Sequence, residues 1–451
     1  MAAPAETLHG ALSDPRDART EAIGKSALRK AALRLLPVLS TGYGLASIDR
    51  LNISFASLQM NRDLHFSASV YGFGAGMFFI GYALCEVPSN LFLLRFGPQR
   101  WLARIMLTWG LLATSMMFVR TALEFDVLRF LLGVAEAGFF PGVIYYLTLW
   151  FPARMRARAV SRFYISLPIS FVVMGSLAGW LLGLGGKLGL TGWQWLFLAE
   201  GLPAALFSLV IFRMLPDKPA EAAWLTVEEK AWLQNQLDAD GKEAHLGHDA
   251  GILQALLSGK VWMIGLFFFL ALTCSYAYNF YSPAIYQHAT GWSVARVGFC
   301  VSCLGLAGAA AMLLNASHSD RTGERQFHII LPCLVMAAGF LTASYARPAW
   351  LVLSALGATY IAFNALQGPA LSLPTQFLAG KAAAAGIAAM NTITMFSGFV
   401  GPYWMGVMKD ATGSDQAGLR GLLLPSLAAA GMMFLLTRSL KRRTRTPSSV
   451  H

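Results

Sequence analysis

The chain has 451 residues, of which 56% are hydrophobic and only 13% charged, and its mean hydropathy is +0.54. That composition excludes a soluble globular domain or a disordered chain and defines an integral membrane protein. The net charge of +12 does not indicate nucleic acid, because the basic residues collect in loops on one side of the predicted spans.

A polar stretch over 1–32 precedes the first apolar run, 33–57, and no small-residue cleavage pattern follows that run, so a retained helix is expected rather than a signal peptide. Further runs cover 70–93, 102–120, 125–148, 159–183, 194–215, 261–284, 295–316, 327–345, 349–372, 382–408 and 419–438. Each can cross ~30 Å of hydrocarbon as a helix. The expected fold is all-α, with twelve transmembrane helices in two pseudo-symmetric six-helix bundles. Its parts are a cytoplasmic N-terminal segment (1–32), an N-terminal bundle (33–215), a cytoplasmic linker (216–260), a C-terminal bundle (261–438) and a basic cytoplasmic tail (439–451).

The linker contains Leu225-Thr226-Val227-Glu228-Glu229, a Thr N-cap followed by first-turn acids, which predicts a short amphipathic helix at the membrane surface. Arg95, Arg100 and Arg104, then Arg154, Arg156, Arg158 and Arg162, then Arg438, Lys441, Arg442, Arg443 and Arg445 put both termini in the cytoplasm. The tail reads as a topology anchor on anionic lipid. Cys85, Cys274, Cys300, Cys303 and Cys333 fall in apolar runs and read as small hydrophobes. His65, His288, His318 and His328 fall at span ends or loops without clustering, so neither a metal nor another cofactor is expected.

The two halves echo each other. The loop after the second span reads Arg95-Phe96-Gly97-Pro98-Gln99-Arg100, and the loop after the eighth reads Asp320-Arg321-Thr322-Gly323-Glu324-Arg325. Gly138-Phe139-Phe140-Pro141 in the fourth span is echoed by Gln367-Gly368-Pro369 in the tenth, so a helix bend is expected at the same depth in both.

Four charges stand where lipid would penalise them: Asp49 and Arg50 in the first span, Arg129 and Glu136 in the fourth. Each costs roughly 2.5–3.5 kcal/mol to place mid-membrane, so partners, water or a transport pathway must compensate. Arg129 and Glu136 lie seven residues apart, two turns along one face, and are expected to look into one cavity. An arginine keeps its charge, whereas a carboxylate can take up and release a proton, so the arginines suit an anion and the acids suit protons. Tyr43 shares a face with Arg50, and Tyr82 lies one turn before Glu86. Glu86 itself is expected to form a structural pair with a nearby arginine. The second half offers no acid or base at this depth; Asn364, Gln367 and Asn391 stand there, suited to hydroxyl and carboxylate oxygens or to bonding between helices. Tyr276, Tyr278, Asn279 and Tyr281 cluster in the seventh span as a gate or an interface belt.

These motifs resemble the major facilitator superfamily of secondary transporters over essentially the whole chain. Its loop motif is matched by Arg95, Gly97 and Arg100, with Asn90 and Leu94 where Gly and Asp are usual, and again by Asp320, Arg321, Gly323 and Arg325. The run Glu86-Val87-Pro88-Ser89-Asn90-Leu91, the stretch from Leu128 to Gly142, and Gly192-Trp193-Gln194-Trp195-Leu196-Phe197 resemble its anion:cation symporter branch. The resemblance implies carriage of tartrate, phthalate, hydroxyphenylacetate or sugar acids with protons. It implies Asp49 and Glu136 as proton-coupling acids and Arg50 and Arg129 as substrate or coupling arginines, and it places Tyr82 at a substrate-contacting position. The expected protein is therefore a multi-pass inner-membrane symporter that takes up a small organic anion by alternating access, working as a monomer in the bilayer. Tyr43, Tyr82, Tyr278, Asn364, Gln367 and Asn391 are expected to complete the substrate site. A facilitator or exporter of amphiphilic compounds is the alternative within transport, and a membrane-embedded enzyme or sensor is the alternative outside it. Against the latter, the sequence has no His/Cys/Asp ligand constellation, no phosphate-binding glycine loop and no sizeable soluble domain.

Overall fold

The computed structural model describes residues 15–246, 258–373 and 380–443. The ends of the predicted terminal segments and part of the linker lie outside them, including Arg445 of the basic tail. Among the described residues, ten helices, or helix pairs counted together, are long and apolar enough to span a membrane. The first half comprises α1 (Pro15–Asp63), α2 (Ala68–Phe96), α3 (Pro98–Ser115), α4 (Ala122–Glu136), α5 (Phe139–Thr148), α6 (Ala153–Tyr164), α7 (Ser166–Leu182) and α8 (Gly192–Met214). The linker helix is α9 (Val227–Leu246). The second half comprises α10 (Gly259–Thr290), α11 (Val294–Thr322), α12 (Phe327–Tyr345), α13 (Ala349–Leu371), α14 (Gly380–Thr412), α15 (Asp415–Gly421) and α16 (Leu423–Arg443). The halves meet where α2 packs on α14, α7 on α11 and α1 on α10.

Three elements depart from the sequence expectation. Helix α1 begins at Pro15, well before residue 33, because its polar first turns dock on the linker helix. There Glu229 accepts hydrogen bonds from Ser26 Oγ at 2.6 Å and Lys30 Nζ at 2.9 Å, and Gly24 leaves room for Trp232. Thr226 and Glu229 close the expected cap reciprocally, Thr226 N–H to Glu229 Oε2 and Glu229 N–H to Thr226 Oγ1.

The fifth span is two helices, the polar α6 and the apolar α7. Pro168 has no N–H for the Tyr164 carbonyl, which accounts for the step between the two helices. Exposed Arg154, Arg158 and Arg162 keep α6 polar.

The fourth span also breaks, between α4 and α5. Pro141 cannot donate to the carbonyl of Ala137, and Gly138 takes φ +87°, a conformation that favours glycine. In the second half Pro369 lies inside α13, two residues before its end at Leu371, so α13 continues through its proline whereas the fourth span breaks before Pro141.

At one end the halves are sealed by polar contacts. Asp410 of α14 accepts the N–H groups of Ala68 (2.9 Å) and Ser69 (2.8 Å) at the start of α2, where the helix dipole favours an anion. Tyr281 donates to the Ala68 carbonyl, Tyr71 to that of Phe280, and Ser302 to that of Val172.

Candidate functional site

The four charges gather between α1 and α4, where Arg50 and Glu136 form an ion pair. Arg50 donates from Nε to Glu136 Oε1 at 2.8 Å, with its Nη2 2.5 Å from the same oxygen. Asp49, adjacent in sequence, points about 100° away around the helix. It accepts from Trp109 Nε1 at 2.8 Å and from Asn52 Nδ2 at 3.0 Å. Arg129 and Arg50 are the cations near Asp49. Arg129 donates to the Ala75 carbonyl at 3.4 Å. Each helix thus supplies one acid and one base, and the Arg50–Glu136 pair joins the two helices. The break after Glu136 places that acid at the end of α4, within reach of Arg50.

The four charges are not equally accessible. Arg129, Asp49 and Glu136 are buried, whereas the Arg50 side chain keeps 28% of its surface. Among the four charges, Arg50 is therefore the one open to an incoming anion. Phe78 lies between the two arginines, its ring centre 5.7 Å from the Arg50 guanidinium carbon and 5.0 Å from that of Arg129. Tyr82 receives Arg50 at 5.3 Å. These ring faces stabilise cations that the helix interior would otherwise leave poorly solvated. Glu136 Oε2 and Arg129 Nε have no hydrogen-bond partner among the described residues, so each of these groups retains unused capacity.

The aromatic candidates divide. Tyr43 packs against Phe140 (5.3 Å), Phe163 (5.0 Å) and Tyr164 (5.9 Å) beside Arg50. In the seventh span Tyr276 lies near Arg50 and packs on Phe79 at 4.5 Å. Tyr278, the residue singled out from the sequence, donates to or accepts from Tyr286 at 2.9 Å and stacks on Tyr360 at 5.3 Å. It lines a cavity of about 20 Å³ with Leu51, Ser54 and Asn279, room for a water molecule. The tyrosine beside Arg50 in this span is Tyr276.

The amides of the second half also separate. Asn364 Nδ2 donates to its own helix at Tyr360 O (2.9 Å), and Gln367 donates to Asn364 at 3.4 Å. Asn391 crosses to the other half and donates to both oxygens of Glu86, at 3.0 and 3.2 Å. Glu86 thus departs from the expected structural pair with an arginine near its helix end; its hydrogen-bond partner is an amide of the opposite bundle.

In the first loop, Gly97 has φ +86° and lies over Asp217, whose Oδ1 accepts from Gln99 N–H at 2.7 Å. An acid from the end of the sixth span therefore stands at the loop whose own position 94 is Leu. Arg95 lies over the Phe96 ring at 5.6 Å, and Arg100 is exposed. In the second loop Arg325 pairs with Asp320 at 3.6 Å and donates to Ser372, Gly323 has φ +67°, and Arg321 is exposed. His318 and His328 are not isolated, contrary to the sequence expectation. Their rings meet at 2.7 Å, and His328 contacts Glu324 at 2.9 Å, because α11 and α12 turn back on each other over four residues. Among the described residues no group of three or more His, Cys, Asp or Glu could hold a metal.

Sequence reasoning missed Glu200 and Asn52. Both are buried, and Asn52 donates to Asp49. An acid inside the sixth apolar run was the available signal.

Two helical bundles around a buried arginine–glutamate pair, sealed at one end by contacts between the halves, define a membrane transport protein. The description Major Facilitator Superfamily matches residues 39–402, and the chain belongs to that superfamily. It is 43% identical over 426 residues to a putative tartrate transporter of Agrobacterium vitis, covering 93% of each chain. It is 39% identical over 422 residues to a quinolone resistance transporter of Acinetobacter baumannii, covering 93% of this chain and 96% of that one. Its fold superposes with TM-score 0.76 and 17% identity on a bacterial homolog of the human lysosomal transporter Spinster, covering 93% and 99%.

Proposed function

We propose that this protein takes up a small organic anion together with protons by alternating access, with tartrate or a related hydroxy acid as the leading substrate class. The observation that carries this reading is the Arg50–Glu136 pair, in which a partly open arginine is held by a fully buried acid. A substrate carboxylate reaching Arg50 competes with Glu136 for the same donors. Glu136 then becomes an unpaired buried charge unless it takes up a proton, so anion binding and protonation favour each other. Asp49 and Arg129 form the second coupling pair. Tyr43 and Tyr82 shape the anion site from the first half, and Asn364, Gln367, Asn391 and Tyr278 offer neutral hydrogen-bonding groups from the second. The two loop motifs, around Gly97 and Gly323, act as hinges of the conformational change.

In this reading both termini are cytoplasmic, as the basic loops suggest, the seal at Asp410 is on the outer face and the site communicates inward. The similarity to a tartrate transporter supports the substrate class, and the similarity to a quinolone resistance transporter keeps export of amphiphilic compounds as the second reading. The test is uptake of labelled tartrate and related acids into proteoliposomes. Uptake driven by an inward proton gradient is expected, with Glu136→Gln retaining counterflow but losing accumulation. Uptake indifferent to pH and protonophore overturns the coupling.

A further inference from the structure

Glu200 is a third acid buried in the first bundle, and none of the roles above uses it. It lies on α8, which packs against α1 and α3, and neither carboxyl oxygen accepts a hydrogen bond from any described residue. Along the contact of α1 with α8, Gln59 meets Gly192 and Phe207 meets Gly42, which sets Asn52 at the level of Glu200 as the polar side chain beside it. Asn52 turns its Nδ2 to Asp49 Oδ1 at 3.0 Å and leaves its own Oδ1 without a donor. A carboxyl and an amide oxygen, both acceptors, thus stand together in a packed helix contact with no donor between them.

The neighbours do not supply one. Helix α3 meets this part of α8 with Gly110 and Thr114, and Thr114 Oγ1 donates back to the Gly110 carbonyl. Trp109 gives its N–H to Asp49. Asp49 is the charged group that acts on Glu200, and it has the same sign; Arg129 on α4 stands against Asp49, and Arg50 is engaged by Glu136. An ionised Glu200 would be an uncompensated buried charge beside another carboxylate. One proton on Glu200 removes the charge and provides the missing donor.

We propose that Glu200 holds a resident proton, donates it in a hydrogen bond to Asn52 Oδ1, and so fixes the Asn52 amide with its N–H toward Asp49. An amide has one donor edge and one acceptor edge, so Asn52 can serve one ionised acid and one protonated acid, not two ionised ones. Glu200 is then a positioning residue: it keeps its proton through the cycle, and Asn52 conveys the consequence to Asp49. The effect on transport rests on the reading of Asp49 as a coupling acid; the resident proton does not.

The experiment uses the full-length purified protein without substrate. Infrared spectra at neutral and mildly alkaline pH are expected to contain the carbonyl stretch of a protonated carboxyl, shifted in heavy water and lost in Glu200→Gln. In proteoliposomes Glu200→Gln, whose amide can donate to Asn52, is expected to keep the pH profile of proton-driven uptake. Glu200→Met, of similar size but without a donor, is expected to move its midpoint by about one unit. Asn52→Leu should give the same displacement and serves where the Met variant does not fold.

Absence of a carboxyl band sensitive to Glu200→Gln overturns the proposal. So does loss of proton-driven accumulation in Glu200→Gln, which would mean that Glu200 must ionise during transport, and so do identical pH profiles for the Gln and Met variants. Where the unmodified protein shows no proton-driven uptake at all, the coupling reading fails, and the infrared band still decides the resident proton.

Discussion

The two halves share a helix order and a loop motif, yet they treat the membrane interior differently. At mid-span the first half carries Asp49, Arg50, Arg129, Glu136 and Glu200, all on α1, α4 and α8. The second half carries Asn364, Gln367 and Asn391 at the corresponding level, with Asn364 and Gln367 bonded inside their own helix. The fourth span breaks at Gly138, whereas its counterpart α13 continues through Pro369. Duplication therefore preserved the scaffold while charge accumulated on one side. The ion pair is held by two helices of one half, and the other half brings only neutral groups to this level, which adds no further charge to be desolvated.

The asymmetry is broken most severely at Arg50. Arg50→Gln removes the open cation and leaves Glu136 without its partner, so substrate affinity is expected to fall by roughly 10–150-fold, as losing a charged hydrogen bond of about 1.5–3 kcal/mol implies. Isothermal titration with the substrate identified by thermal shift measures it. Glu136→Gln should leave affinity closer to that of the unmodified protein, since the amide oxygen still accepts from Arg50, and should abolish accumulation; counterflow and gradient-driven uptake compared in the same vesicles separate the two.

The second half sharpens the contrast from the other direction. Asn364→Ala removes neutral hydrogen bonds inside one helix and should cost about 0.5–1.5 kcal/mol of stability, read as a modest fall in melting temperature with proton coupling intact. Loss of coupling there would contradict the division between charged and neutral halves.

The linker belongs to the first half as well, through Glu229. Burial alone would raise the Glu229 carboxyl, but hydrogen bonds from Ser26, Lys30 and the Thr226 backbone outweigh it and hold the group at about 2. The folded value lies below the unfolded one of ~4.3, so this contribution is complete above that pH and is lost as pH falls toward 2. Glu229→Gln should lower the melting temperature at neutral pH and show a difference from the unmodified protein that shrinks on acidification through this window.

Much of the architecture was legible in the chain. Apolar runs of membrane length gave the two bundles, because lipid forces each segment to satisfy its own backbone as a helix. The cap at Thr226 and the loop glycines followed from local chemistry. The site was legible only as a set of residue types. That Asp49 turns to Trp109 and Asn52 while Arg50 turns to Glu136 depends on where α3 and α4 stand around α1, which spacing along α1 does not encode. Asp217 at the first loop, His318 against His328, and Asn391 on Glu86 are likewise contacts between distant segments.

The sequence by itself determined that the protein lives in the membrane, that it is duplicated, and that its ionisable residues are gathered in the first half, since hydropathy, repeats and charge are properties of the chain. Only the tertiary structure decided which acid meets which base, which arginine remains open, and that Glu200 and Asn52 stand beside Asp49. Those facts depend on distances between helices, and in a low-dielectric interior such distances set whether a charge is paired or stranded.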